Sequence, residues 1–256
     1  MHNCTDKCAV CPQIYGMKIG IIGSGKMGGG LGRHWAREGH QVMFSYSRRP
    51  ERLQDLVKEI GFQTRASTPH DAAGFGDVVF LAVPWASIGD ALVAAGSLEG
   101  KVLITCVNPL GPRGLEIGFG SSAAEEIQKL VPGSIVVEAF NTIFANILDS
   151  RARLFGNNVP TVFFCGNDDD AKYATAELIR DAGLQPVDAG PLQNARYIEP
   201  LAMLLVELGC SQRMGSEMAI RLMNPVGAME LAKNRDLLGR SFVGVFAGVD
   251  DASAIE

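Results

Sequence analysis

One short segment constrains this chain more than any other. Gly23-Ser-Gly25-Lys-Met-Gly28 directly follows the apolar run Lys18-Ile-Gly-Ile-Ile22. It opens a stretch with Met27, Leu31 and Trp35 at helical spacing. The three glycines of a G-x-G-x-x-G pattern have separate tasks between a strand and a helix. Gly23 allows a tight turn, Gly25 lets backbone approach a pyrophosphate, and Gly28 lets the helix pack close to the strand. A helix beginning there points free N–H groups and its positive dipole end at an anion. The pattern alone is weak in a chain with 30 glycines. Its placement after a strand and before a helix makes it a phosphate loop.

The rest of the chain repeats the strand–helix alternation. Gln41 to Tyr46 reads as a second strand, and Pro50 opens a helix with Leu53, Leu56, Val57 and Ile60 on one face. Asp77 to Val83, Val102 to Val107 and Ser134 to Val137 are short runs apolar on both faces, as buried parallel strands are. Strands separated by helices imply an α/β, doubly wound, mostly parallel sheet. Past residue 150 the pattern weakens to two strands, Val159 to Cys165 and Gln185 to Val187, with a helix over 169–182 between them. A long helix is expected from Pro191 to Met223, interrupted near Gly209 and Gly215. The expected organisation is an extension over 1–16, a nucleotide-binding domain over 17–150, and a C-terminal α/β and helical region with a tail over 151–256.

The second strand decides the nucleotide. An NAD-binding chain carries an acid about 20 residues after the loop, to bond the ribose 2′-hydroxyl. Here the chain reads Ser45-Tyr-Ser47-Arg48-Arg49-Pro-Glu-Arg52, with no acid at the strand end. Ser47 can donate to a 2′-phosphate, Arg48 can bind it while stacking on adenine, and Arg52 lies one helical turn on. NADP(H) is therefore expected over NAD(H). Ligands of open α/β sheets sit beyond the carboxyl ends of strands. Val83-Pro84-Trp85, Asn108 and Ala139-Phe-Asn141 stand there, and an aromatic with two amides suits a nicotinamide ring and its carboxamide.

Composition removes other classes. The net charge is −5 and the pI near 5.5, which argues against nucleic acid or a membrane surface as partner. No apolar stretch approaches the roughly 20 residues of a spanning helix, and the N-terminus lacks the pattern of a secretory signal. A cytoplasmic protein is expected. The four histidines, His2, His34, His40 and His70, all lie in the first 70 residues. His34 and His40 flank the first helix and are expected at its surface end. No residue reads as a general acid or base, so no catalytic side chain is assigned. That suits an acceptor taking hydride directly, such as a flavin-like ring, better than an alcohol.

Several motifs recur in order: the phosphate loop, Ser47-Arg48 with Arg52, Val83-Pro84-Trp85, and Cys165-Gly-Asn-Asp-Asp-Asp170. Asp188-Ala-Gly-Pro-Leu192 and Asn194-Ala-Arg196-Tyr-Ile-Glu199 follow. Together they resemble the NADPH-dependent reductases of coenzyme F-420, the 8-hydroxy-5-deazaflavin:NADP oxidoreductases, over about residues 17 to 224. The resemblance implies a Rossmann domain, a small C-terminal α/β part, and NADP on Ser24, Gly25, Lys26 and Met27. Ser47, Arg48 and Arg52 would hold the 2′-phosphate. An 8-hydroxy-5-deazaflavin co-substrate would stack on the nicotinamide in a cleft closed near Pro191 to Arg196. Hydride would pass from nicotinamide C4 to deazaflavin C5, and positioning two rings needs no acid or base. The resemblance also implies a homodimer through the C-terminal helix, whose apolar face carries Tyr197, Leu201, Leu204, Leu205 and Leu208.

This chain has Asn141-Thr142 where those reductases carry a His-Thr pair, which leaves the second substrate open. A flavin, ferric chelate or quinone acceptor, or a non-catalytic NADP(H)-sensing module, are alternatives. Cys4-x3-Cys8-x2-Cys11 has the spacing of three [4Fe–4S] ligands, and His2 could add a fourth for zinc. No surrounding framework supports a metal there. We read the segment as an extension ahead of Met17, itself a candidate start, and assign no metal site.

Arg48→Ala is expected to raise the KM for NADPH by about 10- to 100-fold, the loss of one charged hydrogen bond at about 1.5–3 kcal/mol. The KM for NADH should stay unchanged. Equal turnover of the two nucleotides by the unaltered protein, in steady-state assays, contradicts the arginine argument.

Overall fold

The computed structural model of the chain describes residues 16–46, 50–61, 63–150 and 155–223. Ser47, Arg48, His2 and the cysteines at 4, 8 and 11 lie outside the described residues. All described residues up to Arg221 belong to one compact unit.

The first strand, β1 (Lys18–Ile22), leads into α1 (Lys26–Arg37), then β2 (Gln41–Ser45), α2 (Pro50–Ile60) and β3 (Thr64–Ala66). Next come α3 (Pro69–Phe75), β4 (Val78–Leu81), α4 (Ile88–Ala95) and β5 (Val102–Thr105). A two-residue hairpin pair, β6 (Leu110–Gly111) and β7 (Gly114–Leu115), precedes α5 (Ala123–Leu130) and β8 (Ile135–Glu138). The chain continues through β9 (Thr161–Gly166), α6 (Asp169–Asp181), β10 (Gln185–Asp188) and α7 (Ala195–Val206).

Eight strands form one sheet in the order β10-β9-β8-β5-β4-β1-β2-β3. It is the doubly wound Rossmann arrangement expected from the sequence: the order reverses at β1, which is parallel to both β2 and β4. The pairing from β3 through β8 is parallel. The small C-terminal α/β part adds β9 antiparallel to β8, with Glu138 opposite Cys165, and β10 parallel to β9.

Strand residues divide between two apolar layers, as period-two side chains must. Ile19 and Ile21 face a layer with Trp35 of α1, Leu53 of α2 and Leu178 of α6. Ile22, Val79 and Leu81 face the other, with Ile88 of α4, Ile127 of α5 and Ile198 of α7. Trp35 sits at the centre of the first layer. Its indole N–H donates to the Leu178 carbonyl at 2.8 Å. Its ring meets Phe80 and Phe140 edge-on, at centroid distances of 5.2 and 5.9 Å.

Two expectations need correction. The helix expected over 191–223 is short: a single 3-10 turn at Leu192–Asn194, then α7, then a π turn at Glu207–Ser211. Residues 212–223 have no regular structure. Arg213 takes the left-handed conformation (φ 57°), and the Met214 and Gly215 amides donate back to Leu208 and Gly209, so the chain reverses there. Pro200 stays inside α7, forfeiting only the bond to Arg196.

His40 is buried rather than superficial. The Met17 amide donates to its Nδ1 at 3.0 Å, which leaves the proton on Nε2 to donate to Asp181 at 2.8 Å. The ring joins the start of β1 to the last turn of α6. We expect His40→Ala to lower the unfolding free energy by about 1–3 kcal/mol, the cost of unpairing such groups. Urea denaturation of the variant, with unchanged slope, checks this.

Candidate functional site

The phosphate loop forms because β1, β2 and β4 leave it little room. Gly23 has φ 107°, and a side chain there would strike the Ala82 carbonyl oxygen at 2.4 Å. Its amide and the Ser24 hydroxyl both donate to the Ser45 carbonyl, at 3.1 and 2.8 Å. Ser45 in turn donates to the Ile21 carbonyl at 2.7 Å. Gly28 lies against the Gly23 carbonyl, where a Cβ would come within 2.0 Å. Gly25 caps α1 with no side-chain bond to its first amides, and a Cβ on Gly25 would meet nothing within 4 Å. Uncapped N–H groups beside open space are what a diphosphate needs.

Ser24, Gly25 and Lys26 line a cleft of about 560 Å³ together with Arg52, Asp55 and Asn146. Arg52 thus lines the same cleft as the loop. Arg33, in the same cleft, is already held by Glu59 and Asp149 at 2.9 and 3.0 Å. Met27 packs against the apolar layer instead of lining the cleft.

The amides at the strand ends meet. Asn108 donates to the Asn141 carbonyl at 3.0 Å. Asn141 Nδ2 donates to Asn108 Oδ1 at 3.2 Å and to Glu138 Oε1 at 3.0 Å. Both its N–H groups are used, so Asn141 Oδ1 is buried without a partner, as is the Thr142 hydroxyl. The two residues line a second cavity of about 130 Å³ with Asn108, Phe144, Ala202 and Leu205. The turn that presents them begins at Phe140, which is fully buried with φ 66°.

Other sequence-assigned residues stand apart. Trp85 is half-buried and its indole donates to Glu116 at 3.1 Å. Val83 and Ala139 are core residues, one in each apolar layer, and Pro84 is exposed. None of the four lines either cavity.

Two carboxyls were not read from the sequence. Glu138, the last residue of β8, and Glu199 of α7 are both fully buried and near enough for each to act on the ionisation of the other. Burial, then the neighbouring Glu199 charge, pushes Glu138 well above the usual glutamate range. Burial also raises Glu199, but the Ala123 and Ala124 amides of α5 donate to it at 3.0 and 3.1 Å and hold it to about 7. Arg196 grips Glu125 through two bonds of 2.8 and 2.7 Å one turn away, which lowers the Glu125 carboxyl. Burial keeps the Cys106 thiol protonated up to about 12. An acid closing an otherwise apolar strand was the one available signal for Glu138.

A phosphate loop, an arginine on its flank and paired amides at the switch edge of a doubly wound sheet define a dinucleotide-dependent oxidoreductase. Residues 18–109 match the family described as NADP oxidoreductase, coenzyme F420-dependent. It is 28% identical over 232 residues to the F420-dependent NADP reductase of Methanothermobacter thermautotrophicus, covering 83% of this chain and 97% of that one. A solved structure from Arthrobacter sp. FB24, a candidate F420-dependent NADP-reductase, aligns with a TM-score of 0.73 at 27% identity. That alignment covers 82% of this chain and all of the other. The Metalloreductase STEAP3 of Rattus norvegicus is 31% identical over 189 residues, or 74% of this chain. Here the match spans only 37% of the relative's length. Among the described residues no helix is long and apolar enough to cross a membrane.

The buried pair gives stability a pH signature. Its carboxyls ionise in the unfolded chain near the ordinary value of about 4.3 but keep protons when folded, Glu199 to about 7. Folded protein then binds more protons than unfolded, and stability falls as pH rises through that window. The thermal midpoint is expected to drop between about pH 5 and about pH 7, and more shallowly in Glu199→Gln. A midpoint that rises over this range contradicts the burial argument.

Proposed function

We propose that this protein is an NADP(H)-dependent oxidoreductase in which hydride passes directly between the nicotinamide and a flat deazaflavin-like ring. The observation that carries the reading is the cavity at the β8 edge. Its lining residues include no ionisable side chain, while two buried polar atoms of those residues, Asn141 Oδ1 and Thr142 Oγ1, lack partners. An acceptor oxygen beside a hydroxyl complements a carboxamide, and the apolar Ala202, Leu205 and Val206 form a wall for a ring.

The chain's own residues then divide the work. Ser24, Gly25 and Lys26 bind the diphosphate, and Arg52 with Ser47 and Arg48 takes the 2′-phosphate. Asn141 and Thr142 orient the carboxamide, and α7 excludes water from the transfer path. Bound NADPH supplies the hydride at nicotinamide C4; the acceptor's reduction is completed by one solvent proton, which no side chain of the cavity needs to deliver. Similarity to F420-dependent NADP reductases supports the deazaflavin as acceptor. The metalloreductase relatives support a second reading, an NADPH-dependent flavin or ferric reductase. On α7, Tyr197 and Leu204 are exposed, and a second copy of the chain is the partner we propose for that face.

NADPH oxidation, followed by loss of its absorbance, separates these readings. Turnover with 8-hydroxy-5-deazaflavin is expected. Turnover only with FMN, FAD or a ferric chelate selects the second reading. Tight NADPH binding with no turnover on any acceptor leaves a sensing module and overturns both.

A further inference from the structure

The buried carboxyl pair is not part of the cavity, yet one of its members holds the residue that is. Asn141 has two N–H groups and one oxygen, and which of them faces the ligand depends on what sits behind it. Glu138 Oε1 takes one N–H at 3.0 Å and Asn108 takes the other. On its far side Glu138 meets Glu199, whose oxygens already accept two amides at the N-terminus of α5. Those amides and the helix dipole favour negative charge on Glu199. A second negative charge against it, fully buried, has no compensating partner. The single proton of the pair therefore belongs on Glu138.

We propose that Glu138 is a positioning residue acting as a neutral carboxylic acid: its proton is bonded to Glu199 and its oxygen holds the Asn141 amino group, so the Asn141 carbonyl faces the cavity.

The surrounding groups reinforce the assignment. Cys106, just after β5, and Cys165 of β9 face the pair as neutral thiols. Cys165 Sγ lies 3.9 Å from Glu138 Oε2. Glu125 of α5 adds negative charge but is bound by Arg196 of α7. Asp188, at the end of β10, is bound by Lys172 of α6. No cation among the described residues bonds to Glu138. Were it ionised, only the Asn141 amino group, the weakly donating Cys165 thiol and a Glu199 proton would be left to balance the charge.

The inference rests on the cavity taking the carboxamide of NADPH, and its test separates the two. Infrared spectra of the full chain without nucleotide, at about pH 8, above the ordinary glutamate range, should show a protonated-carboxyl carbonyl band. Glu138→Gln should lose it. Glutamine keeps both contacts, donating to Glu199 and accepting from Asn141, so NADPH affinity should stay within about two-fold of the unaltered protein. Glu138→Ala and Asn141→Ala should each weaken NADPH by about 5- to 100-fold, the range for an unpaired buried polar group.

An ionised Glu138 predicts the opposite: either no band, or a Glu199 band that persists in Glu138→Gln, and Glu138→Gln as damaging as alanine, because its amino group would face the Asn141 amino group or the Glu199 proton. Either result overturns the proposal. Should Glu138→Ala not fold, the glutamine variant alone decides. Failure of the carboxamide reading shows differently: the band and its loss in Glu138→Gln remain, while NADPH affinity is indifferent to Glu138→Ala and Asn141→Ala.

Discussion

Glu199 is the tie on which the second half of the site depends. Its carboxyl ends α5 by accepting the first two amides of that helix, and it fixes α7 against the sheet through Glu138. A helix terminus buried without partners would cost several unpaired amides. Here the same contact that satisfies α5 also brings Ala202 and Leu205 over the strand ends. Arg196 with Glu125 repeats the α5–α7 contact nearer the surface. One polar interaction thus couples helix capping, the docking of α7 and the closing of the cavity.

The rim is shaped by a second constraint, this one apolar. Phe140 holds a left-handed backbone that a bulky residue adopts only at a cost of about 1–3 kcal/mol. Trp35, Phe80 and Phe140 meet edge-to-face in all three pairings. At about 0.5–1.5 kcal/mol per pair beyond burial, that cluster is of the size needed to offset the strain. The turn at Phe140 then lifts Asn141 and Thr142 out of the strand direction. Packing beneath the sheet and polar presentation at its edge are two ends of one local arrangement.

Much of this was legible in the residues, and the gaps have physical reasons. β1, β4 and β5 announce themselves as apolar runs because both faces are covered. The phosphate loop is visible because each glycine answers a separate steric demand, as Gly23 and Gly28 show. Asn108 and Asn141 could be placed at the ligand edge from topology, but not their mutual bonding, which depends on side-chain rotation. β3 and the short helices α3 and α4 carry too few residues for a periodic signal. The C-terminal helix was overestimated because Arg213 gives no sign of its left-handed backbone. Glu138 and Glu199 lie 61 positions apart in sequence, and beyond the apolar strand that Glu138 closes nothing local marks either as buried. His40 escaped for the same reason: its partner Asp181 comes from a distant helix.

The single antiparallel step in the sheet has an architectural consequence. β9 runs against β8 with Cys165 opposite Glu138, and Asp188 of β10 pairs with Phe164, so the ends of β9 and β10 lie level with the ligand rim. α7 therefore starts near that rim, passing Glu125 at Arg196, the α5 terminus at Glu199, and the cavity at Ala202 and Leu205. The seam itself is only two residue pairs long, Val137 with Gly166 and Glu138 with Cys165. The half that grips the nucleotide and the half that closes over it are also tied by Trp35 to the Leu178 carbonyl and by His40 to Asp181, so the short ladder is braced from outside the sheet.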